Sequence, residues 1–558
     1  MNYVYAIKNT QGTTGFATCL PDPAPDLAEA IGLLAERPLD TFLHRYALDL
    51  LLDASPEQWL ELAEACVRTL RPHVAALLLE LAELREDARR VLASAAPQLE
   101  EQPWQECTPE TILIRPRVNE ALRQAWHEHI HQHKAPPDLP PETEEMARER
   151  ERLVRTQGIL ARRRHAQELE RRGAPDNDLP GSPDAFIKLV HEVLDRNVSV
   201  LGPEMRHEAS LSPIALLRPW RLTAAVASGR NAHSLQGDAM AYGRGLKLAQ
   251  ARVSCHMEIV ERLCAYAHVE NGGQWGRILG HELRRDTWRD LHEFGVAAVA
   301  PASVGAIAAG DDFPLHWLPG EDSRGQAVLV PAQAAFLFCN LDEAAIFEHI
   351  GSTGLASGAT MAAARLHALE EVLERYAHAT TGFHPENCFE PGSRDPVVHS
   401  LLADYRWRGI KVQFQDITTE LGVPAYRCFV QGKDGRIAQA TGAGLSGARA
   451  ALSALTETPW PYVWANPVPA PSGGGLSHLP QRIFEDLPDF SFGSEEEDLA
   501  FLHGALQEAG LNPVYVDISR PDIPFPVCRA FVPGLAIDTE LEHGPSATLL
   551  VRSKIQRI

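Results

Sequence analysis

The chain has 558 residues, and its 52 Lys and Arg against 74 Asp and Glu give a formal net charge of −22. That length asks for two to four domains, and 45% hydrophobic residues exclude wholesale disorder and coiled coil. The acidity excludes a general nucleic-acid binder, which needs a basic face, but it leaves room for a nucleotide-phosphate site reached through divalent metal ions.

Nine scattered cysteines form no C-x-x-C pair, so neither a disulfide framework nor a zinc ribbon is expected. Residues 1–8 lack the charged and apolar regions of a signal peptide. Residues 294–310 are mostly Ala and Gly, and 458–481 are broken by Pro and Gly, so neither stretch reads as a membrane span. A cytoplasmic protein with no membrane partner is expected.

In chain order, residues 25 to about 133 read as helical. Leu and Ala recur at three- and four-residue spacing over 40–53, 56–70 and 72–95, with Ser55 and Pro56 as a start signal. Short breaks between them suggest helical hairpins, so 1–135 is expected to be an all-α domain of tetratricopeptide-like type without a fixed-period consensus. The run His127-Glu128-His129-Ile130-His131-Gln132-His133 reads as a solvated helix end. Residues 136–141 (PPDLPP) break the pattern, and 142–172 mix charges with few large apolar residues, which predicts a solvated helix. The composition of 173–183 is that of a linker, so 136–183 form the boundary.

From residue 184 to 558 the texture predicts one large mixed α/β domain of α+β type. Short β-rich runs at 327–330, 410–414, 514–518 and 527–532 alternate with helical stretches at 246–270, 362–379, 448–457 and 499–509. Two of these helices share an arrangement. Gly243-Arg244-Gly245 leads into a helix bearing Glu258-Ile259-Val260-Glu261-Arg262, and Gly354 to Gly358 lead into one bearing Glu371-Val372-Leu373-Glu374-Arg375. Residues three apart share a helix face, so each helix presents two carboxylates side by side among apolar neighbours. Two half-buried like charges repel unless a cation sits between them, and hard oxygen ligands suit Mg²⁺. A surface face with local ion pairs is the plainer alternative. Cys255 and Cys264 are expected in the core.

These residues resemble the YcaO family over roughly 200–540. The first block is similar to its Gly-Lys-Gly turn and Glu-x-x-Glu-Arg helix. The second, beginning Ser352-Thr353-Gly354, is similar to its Ser-Asn-Gly turn and second acidic helix. Thr441-Gly442-Ala443-Gly444 running into Ala454-Leu455-Thr456-Glu457 resembles its late Gly-x-Gly block, and residues 516–523 and 533–535 resemble its C-terminal strand region. The resemblance implies a YcaO-like domain with ATP and Mg²⁺ as cofactors, phosphorylating a backbone amide oxygen of a peptide or protein so that it can leave. The modification formed would be an azoline, a thioamide or a related group. It implies Glu258, Glu261, Glu371 and Glu374 as metal ligands, with Glu371, Glu374 and Arg375 in the catalytic centre. Arg244, Gly243, Gly245, Ser352 and Glu457 would bind the nucleotide. A homodimer is implied, with a partner or substrate protein engaging the N-terminal helices.

The sequence departs from the family pattern in five places. Arg244 replaces a lysine and Thr353 an asparagine; Ala359 and Ala363 replace an amide and an acidic ligand; Tyr462 replaces an arginine. The C-terminus lacks the proline-rich tail of azoline-forming relatives. A degenerate scaffold that binds a partner with weakened or absent ATP chemistry is therefore the alternative expectation.

Overall fold

The computed structural model describes residues 1–8, 16–103, 107, 120–132, 134–170, 183–270, 273–274, 282–306, 310–347, 351–431, 436–460, 468–469, 479–537 and 544–555. The chain opens with β-structure: Asn2–Lys8 pairs antiparallel with Phe16–Pro21 and parallel with Asn231–Gly245. The Tyr-Val-Tyr-Ala-Ile run has the β-branched and aromatic residues that suit a pleated surface, and Tyr3 is fully buried. The helical region accordingly starts at Leu27, and Asn2–Lys8 and Phe16–Pro21 belong to a sheet of the C-terminal part.

The helices Leu27–Glu36, Thr41–Leu52, Pro56–Arg68 and Pro72–Leu84 pack around Leu34, Leu43, Leu51, Trp59, Leu77 and Leu81. Ser55 and Pro56 start the third of these helices, as the sequence predicts, and Gln58 closes a capping box with Ser55. The helix expected over 72–95 breaks at Arg85, which is extended and donates to the carbonyl of Leu52 at 2.7 Å. Buried Asp40 fastens the bundle to the sheet: its carboxylate accepts from Tyr3 Oη and from Asn340 Nδ2, both at 2.8 Å.

Two expectations of solvation are overturned. The charged segment forms Glu144–Thr156 and Ile159–Glu170, and Met146, Leu153, Ile159 and Leu160 are buried. The apolar residues are few, but they fall on one stripe, enough to dock the helices. His129, on Glu120–Gln132, is likewise buried beside Trp126 and Ile130. His131 and His133 lie outside the residues whose side chains are described.

Three sheets build the remainder. One runs Phe16–Pro21, Asn2–Lys8, Asn231–Gly245, Ile214–Ser228, Val269–Glu270, Gly273–Gln274. The second runs Ala327–Pro331, Leu315–Asp322, Val514–Asp517, Val527–Phe531, Leu355–Ser357. The third runs Val468–Pro469, Arg436–Ala443, Ala425–Gln431, Val412–Asp416, Cys388–Gly392, Gln481–Ile483. The mixed α/β expectation holds, with sheets covered by helices. The helix expected over 246–270 is Leu248–Ala265; Val269 then pairs parallel with Val226 in the first sheet. The second acidic helix is Met361–Thr380, capped by Thr360, whose hydroxyl accepts from Ala363 N at 3.0 Å. The late helices are Gly447–Glu457 and Glu495–Glu508. Cys255 and Cys264 are core residues, as expected. Among the described residues no helix is long and apolar enough to cross a membrane.

Candidate active site

Three strand–turn–helix units, one from each sheet, deliver the candidate residues. Asn231–Gly245 turns into Leu248–Ala265, Leu355–Ser357 into Met361–Thr380, and Arg436–Ala443 into Gly447–Glu457. The first and third share their construction. A Cβ on Gly243 would overlap Ala251 O and Cys255, eight and twelve residues on; a Cβ on Gly442 would overlap Ala450 O and Ala454 N, at the same offsets. In both, glycine lets a strand lie directly on the helix that follows it. Each helix then places a glutamate fifteen residues after that glycine: Glu258 and Glu457.

The two Glu-x-x-Glu helices meet at the strand Leu355–Ser357, where Ser357 Oγ donates to Met257 O of the first at 2.9 Å. Glu258 accepts from Tyr242 N at 2.6 Å, Glu371 from Gly354 N at 3.2 Å, and Glu374 from Thr441 Oγ1 at 2.7 Å. These bonds tie each acidic helix to a glycine-rich turn or its strand. Arg262 lies 2.9 Å from Glu261 and 3.7 Å from Glu258; Arg375 lies 3.4 Å from Glu374 and 3.6 Å from Glu371. The local ion pairs of the plainer reading are thus present. They do not make a solvated face, because the glutamates of one helix feel those of the other.

Burial pushes the Glu261 carboxyl up to about 8; Glu371 and Glu258 add to the shift, and Arg262 and Arg529 oppose it. Burial also raises Glu258, against Arg262 and Arg244, and raises Glu371, against Arg375. Glu457 is pushed up to about 7 by burial and then by Glu374, with Arg244 and Arg375 opposing. Yet the side chains of Glu258, Glu261, Glu371 and Glu374 keep 25, 16, 25 and 13% of their surface exposed, and Glu457 is exposed. Strong desolvation with residual access describes a crevice, walled by protein and open on one side. Arg244 acts on both Glu258 and Glu457, so it stands between the first and third units.

The remaining expected residues fall in the turns. Ser352 accepts through its carbonyl from Leu355 N at 2.9 Å, and Gly245 N donates to Ser212 Oγ at 3.1 Å. Ala359 is exposed and Ala363 is 3% exposed, leaving an apolar start to the second helix. Tyr462 lies outside the described residues.

Two charged residues went unrecognised in the sequence. Glu370, one turn before Glu374, accepts from Leu445 N at 3.0 Å and is pushed up to about 7 by burial. Its four-residue spacing from Glu374 was the available signal. Arg529 lies within the apolar strand Val527–Phe531, buried and close enough for Glu371 and Glu261 to act on its charge. A single charge in an otherwise apolar buried strand was the signal there.

The donor set fits a hard divalent cation. Among the described residues no group of three or more His, Cys, Asp or Glu is placed to hold a metal ion by itself. Mg²⁺ needs one or two carboxylates and completes its shell with water and phosphate oxygens, and the Glu258/Glu261 and Glu371/Glu374 pairs offer carboxylates of that kind. Burial is the main cause of the raised proton affinity of Glu258, Glu261, Glu371 and Glu457, and a bound cation would offset it.

The model of the YcaO family, described as YcaO cyclodehydratase, ATP- and Mg²⁺-binding, matches residues 242–459 and 468–536, just over half of the chain. An uncharacterized protein in the tfuA 3′ region of Rhizobium leguminosarum bv. trifolii is 27% identical over 356 residues, 56% of this chain and 80% of that one. An uncharacterized protein of Methanothermobacter thermautotrophicus is 28% identical over 328 residues, 53% of this chain and 81% of that one. Among solved structures, a heterocyclase in complex with substrate and cofactor has a TM-score of 0.48 and 19% identity over 65% of this chain and 54% of its own. YcaO from Methanopyrus kandleri, bound with AMPPCP and Mg²⁺, has a TM-score of 0.44 and 20% identity over 64% of this chain and 92% of its own. ATP and Mg²⁺ are accordingly the cofactors of the matched family. The second and third strand–turn–helix units, the first from its Gly243 turn onward, and Arg529 fall inside the matched span, and the chain belongs to the YcaO family.

Proposed function

We propose that this protein uses ATP and Mg²⁺ to activate a backbone amide of a peptide or protein for post-translational modification. The observation that carries the reading is the convergence of Glu258, Glu261, Glu371, Glu374 and Glu457 with Arg244 and Arg375 in one crevice. Glu258, Glu261, Glu371 and Glu374 would hold Mg²⁺, and Arg244 and Arg375 would hold phosphate oxygens. When bound, Mg·ATP supplies the phosphoryl group that turns an amide oxygen into a leaving group, with its charge screened by the metal. The chain's own part is to orient. Gly354 N fixes Glu371 and Thr441 Oγ1 fixes Glu374, so neither carboxylate must reorganise when a cation arrives. Arginine at 244 keeps the charge of the family lysine and adds a planar fork for two oxygens.

The product would be an azoline, a thioamide or a related group, and the helices from Leu27 onward would recruit the substrate or a partner. A second reading, a scaffold with weakened ATP chemistry, draws on Ala359 and Ala363, where the second helix offers no polar group. Calorimetric titration of Mg·ATP into wild type and Glu371→Gln separates the two. Saturable binding that weakens at least tenfold in the variant supports the enzyme. No binding by wild type in the presence of Mg²⁺ refutes it and leaves the scaffold.

A further inference from the structure

Arg529 is 4% exposed and sits on the strand Val527–Phe531, in register with Leu355 of the strand that both acidic helices flank. Its Nη2 donates to Gly351 O at 2.8 Å, and Ala530 N, next along the chain, donates to Gly354 O at 2.7 Å. The Gly351–Gly354 turn, whose Gly354 N–H holds Glu371, is therefore fixed from below by this strand. Nε and Nη1 of Arg529 are buried and have no hydrogen-bond partner among the described residues. A guanidinium so placed loses its hydration; the Phe531 ring, with its centroid 5.8 Å from the guanidinium carbon, offsets part of that loss, and nearby negative charge must supply the rest. That charge comes from Glu371 and Glu261, one from each acidic helix, at longer range than a direct ion pair and against the repulsion of Arg262. Those two carboxylates repel each other across the crevice.

We propose that Arg529 is a built-in counter-cation shared by Glu261 and Glu371, holding the inner end of the crevice together without metal and weakening Mg²⁺ binding there. This rests on the crevice being a Mg²⁺ site, as proposed above, but not on ATP chemistry. Arg529 touches no reacting atom in this account and is a positioning residue. A fixed unit charge close behind the ligands, in partly buried surroundings, changes the affinity for a divalent ion by about tenfold or more.

The test is thermal unfolding of the full chain at pH 8.5, in EDTA and across a MgCl₂ titration without nucleotide. It compares wild type, Arg529→Lys, Arg529→Met and the double variant Glu261→Gln/Arg529→Met. Arg529→Met is expected to melt lower in EDTA and to reach half-maximal stabilisation at a Mg²⁺ concentration about tenfold below wild type. Arg529→Lys keeps the charge and should behave as wild type does. A Mg²⁺ response of Arg529→Met equal to that of wild type would overturn the proposal. Should Arg529→Met fail to fold, the double variant, which removes one charge of each sign, is expected to fold; its failure as well would mean that the arginine only packs. Because no nucleotide is present, a failed ATP reading leaves this outcome unaffected.

Discussion

The proton held by Glu261 gives the most direct measure of whether the crevice lacks positive charge. Folding raises this carboxyl from 4.5 to about 8. Between those values the folded chain binds more protons than the unfolded one, so stability falls as pH rises across that window and levels off above it. The shift corresponds to at most about 5 kcal/mol, at 1.36 kcal/mol per pH unit. Unfolding entropy is about 2.1 cal/mol/K per residue, so a cooperative chain of this size has about 1.2 kcal/mol/K, and the full effect lowers Tm by about 4 °C. The assay is a melting series in EDTA from pH 5 to 9 on wild type and Glu261→Gln, repeated in excess Mg²⁺. Wild type should lose Tm with rising pH in EDTA, and the glutamine variant should lose markedly less. Added Mg²⁺ should stabilise wild type more at pH 8.5 than at pH 6, since the metal competes with protons for the same oxygens. If Glu261→Gln follows the wild-type pH profile in EDTA, the carboxylate is not desolvated, and the crevice account is wrong.

Other perturbations separate orientation, close packing and bracing. Glu371→Gln retains an oxygen to accept from Gly354 N but loses its charge, so Mg·ATP affinity by calorimetry should fall at least tenfold with Tm within a few degrees of wild type. Gly243→Ala forces a Cβ into the Ala251 carbonyl and Cys255; circular dichroism melts should show a loss of about 1–3 kcal/mol, with weaker nucleotide binding as Arg244 moves. Arg552, on the helix Ala547–Ile555, pairs with Glu420 and donates to Thr380 Oγ1 at 2.7 Å at the end of the second acidic helix. Their side chains are only 11% and 6% exposed, so Arg552→Ala should cost about 3–5 kcal/mol in denaturant unfolding, and an unchanged midpoint would show that Arg152, 3.3 Å from Glu420, suffices alone.

What the sequence reveals follows the range over which each feature is determined. The acidic helices were legible because Glu258/Glu261 and Glu371/Glu374 repeat at helical spacing behind glycine turns, a pattern fixed within twenty residues. The first strand was not, because Asn2–Lys8 is held by Asn231–Gly245 more than two hundred residues away. The long hairpin Ile214–Ser228 and Asn231–Gly245 went unread for a related reason: its buried positions mix Trp220, Leu222, Val226 and Leu235 with Arg218, Ser228, Asn231 and His233, so burial alternates where apolarity does not. The charged helix was misjudged because composition averages over its faces, whereas docking needs only the stripe of Met146 and Leu153. Arg529 was missed since its role depends on two helices that approach it from separate parts of the chain.

The departures at Ala359 and Ala363 weaken the site less than they suggest when the whole crevice is weighed. Glu258, Glu261, Glu370, Glu371, Glu374 and Glu457 are six carboxylates linked by mutual electrostatic influence, against the guanidiniums of Arg244, Arg262, Arg375 and Arg529. With every carboxylate ionised the formal excess is two negative charges, the charge of one Mg²⁺; near neutral pH protons on Glu261, Glu370 and Glu457 offset part of it until a cation displaces them. A further carboxylate at position 363 would raise it to three, in a helix start that is buried and apolar here. The alanine there, with Glu370 turned toward Leu445, keeps the charge within reach of a single divalent ion. On this balance one Mg²⁺ is expected in the nucleotide-free crevice, with any second ion arriving alongside the phosphates that it neutralises. Equilibrium dialysis with and without a non-hydrolysable ATP analogue counts them, and two ions bound without nucleotide would refute the balance.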